Sequence, residues 1–205
     1  RRPTTWPWPA TAALEVTGIG RLSSGTSYTP LVGGDINGDG LDDIIIGAAG
    51  ADNNGNGSGS SYVLFGRSAG GFTSATLSLS TLNGSNGFRL DGAAAAQLSG
   101  WSVSAAGDVN GDGLDDVIVG AYAASPNGSS SGSSYVLFGR SGSGAFAANI
   151  NLSTLNGSNG FRLDGAAAYD YSGVAVSGAG DINGDGFDDV IVGARRAAPG
   201  SGSNA

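Results

Sequence analysis

Three copies of a nine-residue acidic loop carry the most distinctive chemistry of this sequence. They read DINGDGLDD at 35–43, DVNGDGLDD at 108–116 and DINGDGFDD at 181–189, with a constant spacing of 73 residues. Oxygen-bearing side chains occupy positions 1, 3, 5 and 9, and a glycine at position 6 permits a sharp turn. A hard cation such as Ca²⁺ takes about six to eight oxygen ligands from a short, flexible loop of this kind. The repetition in register therefore predicts three Ca²⁺ sites.

Odd and even positions of the loop are expected to point in opposite directions, which separates the expected ligands from their neighbours. Alternate side chains point inward, and position 7 is expected to offer its backbone carbonyl. The aspartates at position 8 (Asp42, Asp115 and Asp188) have the opposite parity, so we expect them to face solvent or to contact the ligands from outside. The predicted ligands are Asp35, Asn37, Asp39, Leu41 and Asp43; Asp108, Asn110, Asp112, Leu114 and Asp116; and Asp181, Asn183, Asp185, Phe187 and Asp189.

Two other structures use similar residues. An Asn-Gly or Asp-Gly hairpin turn explains the glycines, but four carboxylates in nine residues repel one another unless a cation lies among them. An EF-hand loop needs an acidic residue at position 12 and a helix on each side. Position 12 is Ile46, Val119 or Val192, each within a strand-like run. The sequence therefore excludes an EF-hand.

The overall composition limits the function further. The 205 residues carry a net charge of −8, and 12 of the 16 aspartates lie in the three loops, so the acidity is local. The positive charge comes only from scattered arginines, which argues against a nucleic-acid partner. The absence of His and Cys excludes the usual zinc and copper ligand sets and catalysis by those residues. The absence of Met predicts a processed product or a fragment, and no apolar run reaches the length of about 18 residues that indicates a membrane span.

The 73-residue period organises the chain. Residues 35–107 and 108–180 are identical at 50 of 73 aligned positions without a gap. Residues 1–24, which contain Pro and Trp, are predicted to be an N-terminal arm or linker. Residues 25–205 are predicted to be β repeats, with units at about 25–97, 98–170 and a partial unit at 171–205.

Each full period contains signals for four β-strands. In the second repeat these are 102–104, 116–120, 134–139 and 161–165, separated by Gly, Asn and Ser clusters. Four antiparallel strands per repeat predict an all-β fold of β-propeller-type blades with very little helix. The chain holds about 2.8 periods (205/73), whereas closed propellers need about four to eight blades. We therefore expect a ring that is incomplete within one chain.

Two blocks resemble a known repeat. Residues 98–122 (LSGWSVSAAGDVNGDGLDDVIVGAY) and 171–195 (YSGVAVSGAGDINGDGFDDVIVGAR) resemble the FG-GAP repeat of integrin α-subunit propellers and of many bacterial surface proteins. The similarity covers about residues 30–205, with Ser-Gly in place of the Phe-Gly of the motif. The resemblance implies structural calcium loops at one rim of each blade. Cytosolic calcium is too low to fill such sites, so it also implies an extracellular protein, secreted or at the cell surface.

The favoured function is a secreted, calcium-binding adhesion or scaffold protein without enzymatic activity. We expect it to associate with copies of itself through repeat-to-repeat contacts, as a ring or a filament. It could also bind an extracellular protein or glycan.

Two alternatives stay open. The chain could be the repeat region of an extracellular hydrolase, with Asp91, Asp164 or Asp170 as candidate acids, although Asp91 and Asp164 share a repeat position and are predicted to be structural. It could instead be a carbohydrate-binding module. Such a module would use aromatic residues that do not repeat, namely Trp101 with Tyr122, Tyr169 or Tyr171.

Overall fold

The fold consists of β-strands joined by turns. A computed structural model describes residues 15–17, 31–68, 76–142 and 146–198, which contain thirteen strands and two single-turn 3-10 segments. No α-helix occurs in these ranges, and none of their helical turns is long and apolar enough to cross a membrane. The predicted all-β class is confirmed.

The strands follow the repeat along the chain. The 3-10 turns are Leu79–Thr81 and Leu152–Thr154. The strands are β1 (Glu15–Thr17), β2 (Leu31–Gly34), β3 (Asp43–Ala48), β4 (Ser60–Leu64), β5 (Thr76–Ser78), β6 (Gly87–Asp91), β7 (Ser102–Gly107), β8 (Asp116–Ala121), β9 (Ser133–Leu137), β10 (Asn149–Asn151), β11 (Gly160–Asp164), β12 (Ser172–Gly180) and β13 (Asp189–Ala194).

Each repeat builds one antiparallel blade. The spatial order β2-β3-β4-β6 in the first repeat recurs as β7-β8-β9-β11 in the second, and β12 pairs with β13 in the third. The four strands predicted for the second repeat are confirmed as β7, β8, β9 and β11. No sheet in the described part of the chain closes on itself, so the repeats form an incomplete propeller. Each acidic loop connects the first two strands of its blade.

Two of the three hydrophobic clusters join neighbouring blades, and the third lies within the first repeat. Val117 and Val119 of β8 pack into a cluster with residues of the first repeat such as Ile45. Ile118 points the other way and packs with Val176 of the third repeat. Because side chains alternate across a strand, β8 uses one face for each neighbour. This explains why its β-branched run is buried on both sides.

The burial of a strand depends on its neighbour as well as on its sequence. β13 has the same sequence as β8, DVIVGA. Ile118 of β8 has no solvent exposure, whereas Ile191 at the equivalent position in β13 is 56% exposed. The strand face that points toward the next repeat is therefore buried only where that repeat covers it, as expected for a repeat architecture.

Parallel strand pairs also link the repeats. β10 of the second repeat pairs in parallel with β6 of the first, and β5 pairs in the same way with β1. β5 and β10 occupy the same position in the repeat. β10 lies beside β6, the outermost strand of the first blade, and β1 takes the corresponding place beside β5. The rest of the predicted arm, at 1–14 and 18–24, lies outside the described residues.

Adjacent blades approach each other most closely at glycines. A Cβ on Gly120, within β8, would overlap the carbonyl oxygen of Gly173 at the start of β12. Gly173 itself has φ +83°, a backbone conformation that favours glycine. Gly47 stands in the same relation to Gly100 one repeat earlier. Contact with the next repeat is therefore the reason for glycine at this strand position.

Gly120→Ala tests this packing. We expect it to lower the free energy of unfolding by about 1–3 kcal/mol, because the opposing atom belongs to the backbone and cannot move aside. Gly193→Ala is the matched control, since Gly193 occupies the equivalent position in β13 and its Cβ would meet Ala175 at an ordinary 3.4 Å. Urea denaturation followed by circular dichroism measures both variants. Equal destabilisation by the two substitutions would contradict the packing described here.

Candidate metal centre

Backbone N–H groups converge on the predicted ligands of the second acidic loop. Asp108 Oδ1 accepts a hydrogen bond from the backbone N of Asp112 at 3.0 Å, and its Oδ2 accepts one from Gly113 N at 2.8 Å. Asn110 Oδ1 accepts from Asp112 N at 2.8 Å. Asp112 Oδ1 accepts from Leu114 N at 3.0 Å. The side chains at positions 1, 3 and 5 therefore all point into the loop.

The other two loops repeat this geometry. Asp35 accepts from the backbone N of Asp39 at 3.0 Å and from Gly40 N at 2.8 Å. Asp181 accepts from Gly186 N at 3.0 Å, and the loop asparagines and the position-5 aspartates make the same bonds as in the second loop. The equivalent ligands at positions 1, 3 and 5 are Asp35, Asn37 and Asp39 in the first loop and Asp181, Asn183 and Asp185 in the third.

The aspartate at position 9 joins the loop to the blade. Asp116 is the first residue of β8 and has no solvent exposure. Its Oδ2 accepts from Val109 N at 3.0 Å, and its Oδ1 accepts from Gly139 N, beyond β9, at 2.8 Å. Asp43 makes the equivalent two bonds in the first repeat and is also fully buried. Asp189 is only half-buried and accepts from Ile182 N at 2.9 Å.

Burial changes the acidity of these two carboxyls. Loss of solvation raises the pKa of Asp43 from 3.8 to about 7 and that of Asp116 from 3.8 to about 6. The accepted backbone hydrogen bonds oppose this rise, and the carboxylates at positions 1 and 5 add to it. A raised pKa means that the folded chain holds the proton more tightly than the unfolded chain. Without a bound cation, the stability therefore falls as the pH rises from the ordinary carboxyl range through about 7.

The donor set fits a hard cation by its chemistry. As the side chains stand, no group of three or more His, Cys, Asp or Glu residues in the described ranges is placed to hold a metal ion. The loop carboxylates accept backbone N–H groups instead. Positions 1, 3, 5 and 9 nevertheless supply only carboxylate and amide oxygens, which are the ligands that Ca²⁺ takes in proteins.

The aspartates at position 8 connect neighbouring repeats. Asp115 Oδ2 accepts from the backbone N of Asp35 at 2.8 Å, and Asp188 Oδ2 accepts from that of Asp108 at 2.9 Å. Their own N–H groups donate back to the carbonyls of the same two residues, at 3.3 and 3.0 Å. We call this paired contact the aspartate clamp. Asp42, at the same position in the first loop, is exposed, and its carboxylate accepts no hydrogen bond within the described residues.

The residues at position 7 also reach the preceding loop. A Cβ on Gly38 would meet the side chain of Leu114, and one on Gly111 would meet the ring of Phe187. These side chains therefore cover the turn of the loop before their own. Sequence parity predicted a carbonyl ligand at this position and did not reveal this contact.

Comparison with known proteins decides the family. A model of the FG-GAP repeat matches residues 28–64, 99–137 and 172–204, which is just over half of the chain. The chain belongs to the FG-GAP repeat family. Integrin alpha-E of Mus musculus is 35% identical to this FG-GAP chain over 105 residues, a match that covers 48% of the chain and 8% of the integrin. The resemblance predicted from the two sequence blocks is confirmed.

The candidate acids of the hydrolase alternative take part in strand contacts. Asp91 forms an ion pair with Arg89 at 2.6 Å, and Asp164 forms one with Arg162 at 2.8 Å. Both aspartates also accept from serine hydroxyls on the neighbouring strands. Asp170 is buried and accepts a backbone N–H of its own turn at 2.8 Å. Two of the three carboxylates thus repeat the same contacts in successive blades of this FG-GAP chain.

Three of the four aromatic residues of the carbohydrate alternative meet in the structure. The rings of Trp101 and Tyr122 pack edge to face with their centroids 4.8 Å apart, and those of Tyr122 and Tyr171 are 5.9 Å apart. Tyr169 is exposed and makes no ring contact in the part of the chain that the structure describes. Trp101 precedes β7 and Tyr122 follows β8, so this group lies at the rim opposite the acidic loops.

Asp115→Ala tests the aspartate clamp. We expect it to lower the free energy of unfolding by about 1 kcal/mol, since a half-exposed, charge-assisted hydrogen bond between repeats is lost. Asp42→Ala is the matched control within the same loop motif, and its change is expected to stay below about 0.5 kcal/mol. Urea denaturation in excess calcium and again in chelator separates the clamp from any cation effect. A loss from Asp42→Ala as large as that from Asp115→Ala would show that the clamp contributes nothing.

Proposed function

We propose that this FG-GAP chain binds Ca²⁺ in its three acidic loops and serves as a calcium-stabilised extracellular scaffold or adhesion protein, without enzymatic activity. The observation that carries the proposal is the burial of the position-9 aspartates. Asp43 and Asp116 have no solvent exposure and no arginine partner among the described residues. A buried carboxylate is costly unless it is paired. A divalent cation between positions 1, 3, 5 and 9 would supply the missing charge.

The expected affinity supports an extracellular location. Calcium sites in extracellular modules have dissociation constants of about 0.1–1 mM. At about 1 mM calcium, each filled site would stabilise the fold by about 0.4–1.4 kcal/mol. Cytosolic calcium would leave such sites empty. The similarity to an integrin α-subunit supports the same location.

Calorimetric titration tests the calcium sites. The full chain is expected to bind three Ca²⁺ ions, and Asp39→Ala is expected to bind two, because it removes a ligand of the first loop. Asp42→Ala is the control from the same loop and should still bind three. Thermal melts complete the test, because chelated protein should lose stability as the pH rises through about 7, and excess calcium should reverse much of that loss.

Two results would refute calcium binding. One is an identical melting temperature in excess chelator and in excess calcium. The other is a stoichiometry that does not change when Asp39 is replaced.

We further propose a second copy of this chain as a partner. The outer face of the third repeat exposes 68% of Ile182 and 56% of Ile191. Their equivalents in the second repeat, Val109 and Ile118, pack in a cluster with Val176 of the third repeat, and Ile118 is fully buried. The first repeat, in turn, presents the exposed carboxylate of Asp42, which accepts no hydrogen bond from any residue that the structure describes. A contact between the acidic loop of the first repeat of one copy and the third repeat of another would repeat the loop-to-loop contact that already joins the blades, and it can produce a ring or a filament.

Sedimentation velocity tests this association. The chain is expected to sediment faster as its concentration rises, and Ile191→Asp should reduce that increase because it places a charge in the apolar contact. Asp52→Arg, an exposed substitution outside this face, is the control and should change nothing. A monomer at every concentration would refute the proposal. Electron microscopy of the associated form then distinguishes rings from filaments.

A further inference from the structure

A row of aromatic and cationic side chains lies at the rim opposite the acidic loops. Trp101, Tyr122 and Tyr171 form the row through ring contacts of 4.8 and 5.9 Å. The guanidinium carbons of Arg195 and Arg196 lie 4.9 and 5.1 Å from the ring centroid of Tyr171. We call these five residues the aromatic ridge. It combines residues from the second and third repeats.

The fold does not need aromatic residues at positions 122 and 171. Tyr122 and Tyr171 correspond to Ala49 and Leu98 at the junction of the first two repeats. Ala49 is buried there, so that junction closes with small and aliphatic side chains. Leu98 and Tyr171 have nearly the same left-handed backbone, with φ +53° and +55°. The backbone at this position is therefore the same in both repeats, whichever side chain it carries. The junction of the first two repeats closes without an aromatic ring here, so the ring of Tyr171 is not needed for packing.

The ridge offers unused binding groups to solvent. Trp101 is 42% exposed, although it is the largest apolar side chain of the row. Within the described residues, its indole N–H and the hydroxyls of Tyr122 and Tyr171 make no hydrogen bond. Apolar ring faces with free polar tips suit a pyranose ring, whose C–H face stacks on the aromatic face while its hydroxyls form hydrogen bonds.

The positive charge of the ridge favours sugars that carry a carboxylate. Neither Arg195 nor Arg196 has an ion-pair partner in the described part of the chain, whereas Arg89 and Arg162 are both paired with aspartates. Asp170, a neighbouring carboxylate, is buried and accepts a hydrogen bond from its own turn. Two available guanidinium groups on a chain of net charge −8 form a local positive site. Guanidinium groups pair strongly with carboxylates.

From this combination we propose that the aromatic ridge binds an acidic glycan. Trp101 would stack on a sugar ring, the tyrosine hydroxyls would bind sugar hydroxyls, and Arg195 and Arg196 would bind the carboxylate of a uronic acid. The proposal goes beyond the calcium loops and does not depend on them, because the ridge lies at the other end of the strands. It is consistent with an extracellular scaffold, whose surroundings contain such polysaccharides.

Calorimetry with hyaluronan and heparosan oligosaccharides tests the ridge. Both are unsulfated chains that carry a uronic acid in each disaccharide. The full chain, in calcium-containing buffer, is expected to bind at least one of them, and Trp101→Ala should weaken that binding by about tenfold or more. Arg195→Gln combined with Arg196→Gln should weaken it similarly, and these exposed positions keep the test valid if Trp101→Ala unfolds the chain. Oligosaccharides with their carboxyl groups reduced to alcohols should bind about tenfold more weakly.

Tyr169→Ala and Arg140→Ala are the matched controls. Tyr169 is an exposed tyrosine two residues from Tyr171 but outside the row, and Arg140 stacks on Phe146 at another place on the chain. Each should change the affinity by less than about twofold. The proposal is overturned if neither oligosaccharide binds, if the affinity survives the Trp101 or the double arginine substitution, or if the carboxyl-reduced ligand binds equally well. An equal loss from Tyr169→Ala would place the binding surface elsewhere. Because the calcium titration is a separate measurement, failure of one proposal leaves the other unaffected.

Discussion

The first two blades each depend on a carboxylate that is fully buried from solvent. Asp116 stands where an acidic loop becomes a buried strand, and its two oxygens accept N–H groups from the start of the loop and from the connection beyond β9. The same arrangement at Asp43 shows that it belongs to the repeat. Desolvation makes this ionised carboxylate costly, as its raised pKa shows. The cation that we propose for this loop would offset that cost and so stabilise the fold.

A second constraint is that a strand face turned toward the next repeat needs that repeat to cover it. Identical sequences in β8 and β13 differ in burial because only β8 is covered on both faces. The covering repeat supplies three things at once: apolar side chains, a backbone close enough to require Gly120, and the clamp carboxylate on the preceding loop. Stability and the shape of the acidic loop thus depend on the same interface. This shared interface explains why an aspartate of one acidic loop also accepts a hydrogen bond from the loop before it.

The two rims of the blades differ in how closely their residues repeat. The acidic loops repeat with almost no change, as expected if every blade needs the same stabilisation. At the opposite rim the chain departs from the repeat, with Trp101, Tyr122 and Arg195 at positions where other copies carry different side chains. A constant backbone with variable side chains allows one rim to bind selectively while the other maintains the fold. The best candidate for specific recognition is therefore a place where the repeat is broken.

Much of this protein could be predicted from local patterns. The strand positions, the FG-GAP family and the inward direction of positions 1, 3 and 5 depend on residues close together in the chain, where alternation and turn chemistry act directly. The roles of Asp115 and Asp42 could not be separated in this way, because they occupy the same motif and differ only in whether a preceding loop lies beside them. The ridge joins Trp101 to Tyr171, almost a full repeat apart. Contacts between successive blades, along with the burial that shifts the pKa of Asp43, exist only once the repeats pack together, so the tertiary structure alone decided them.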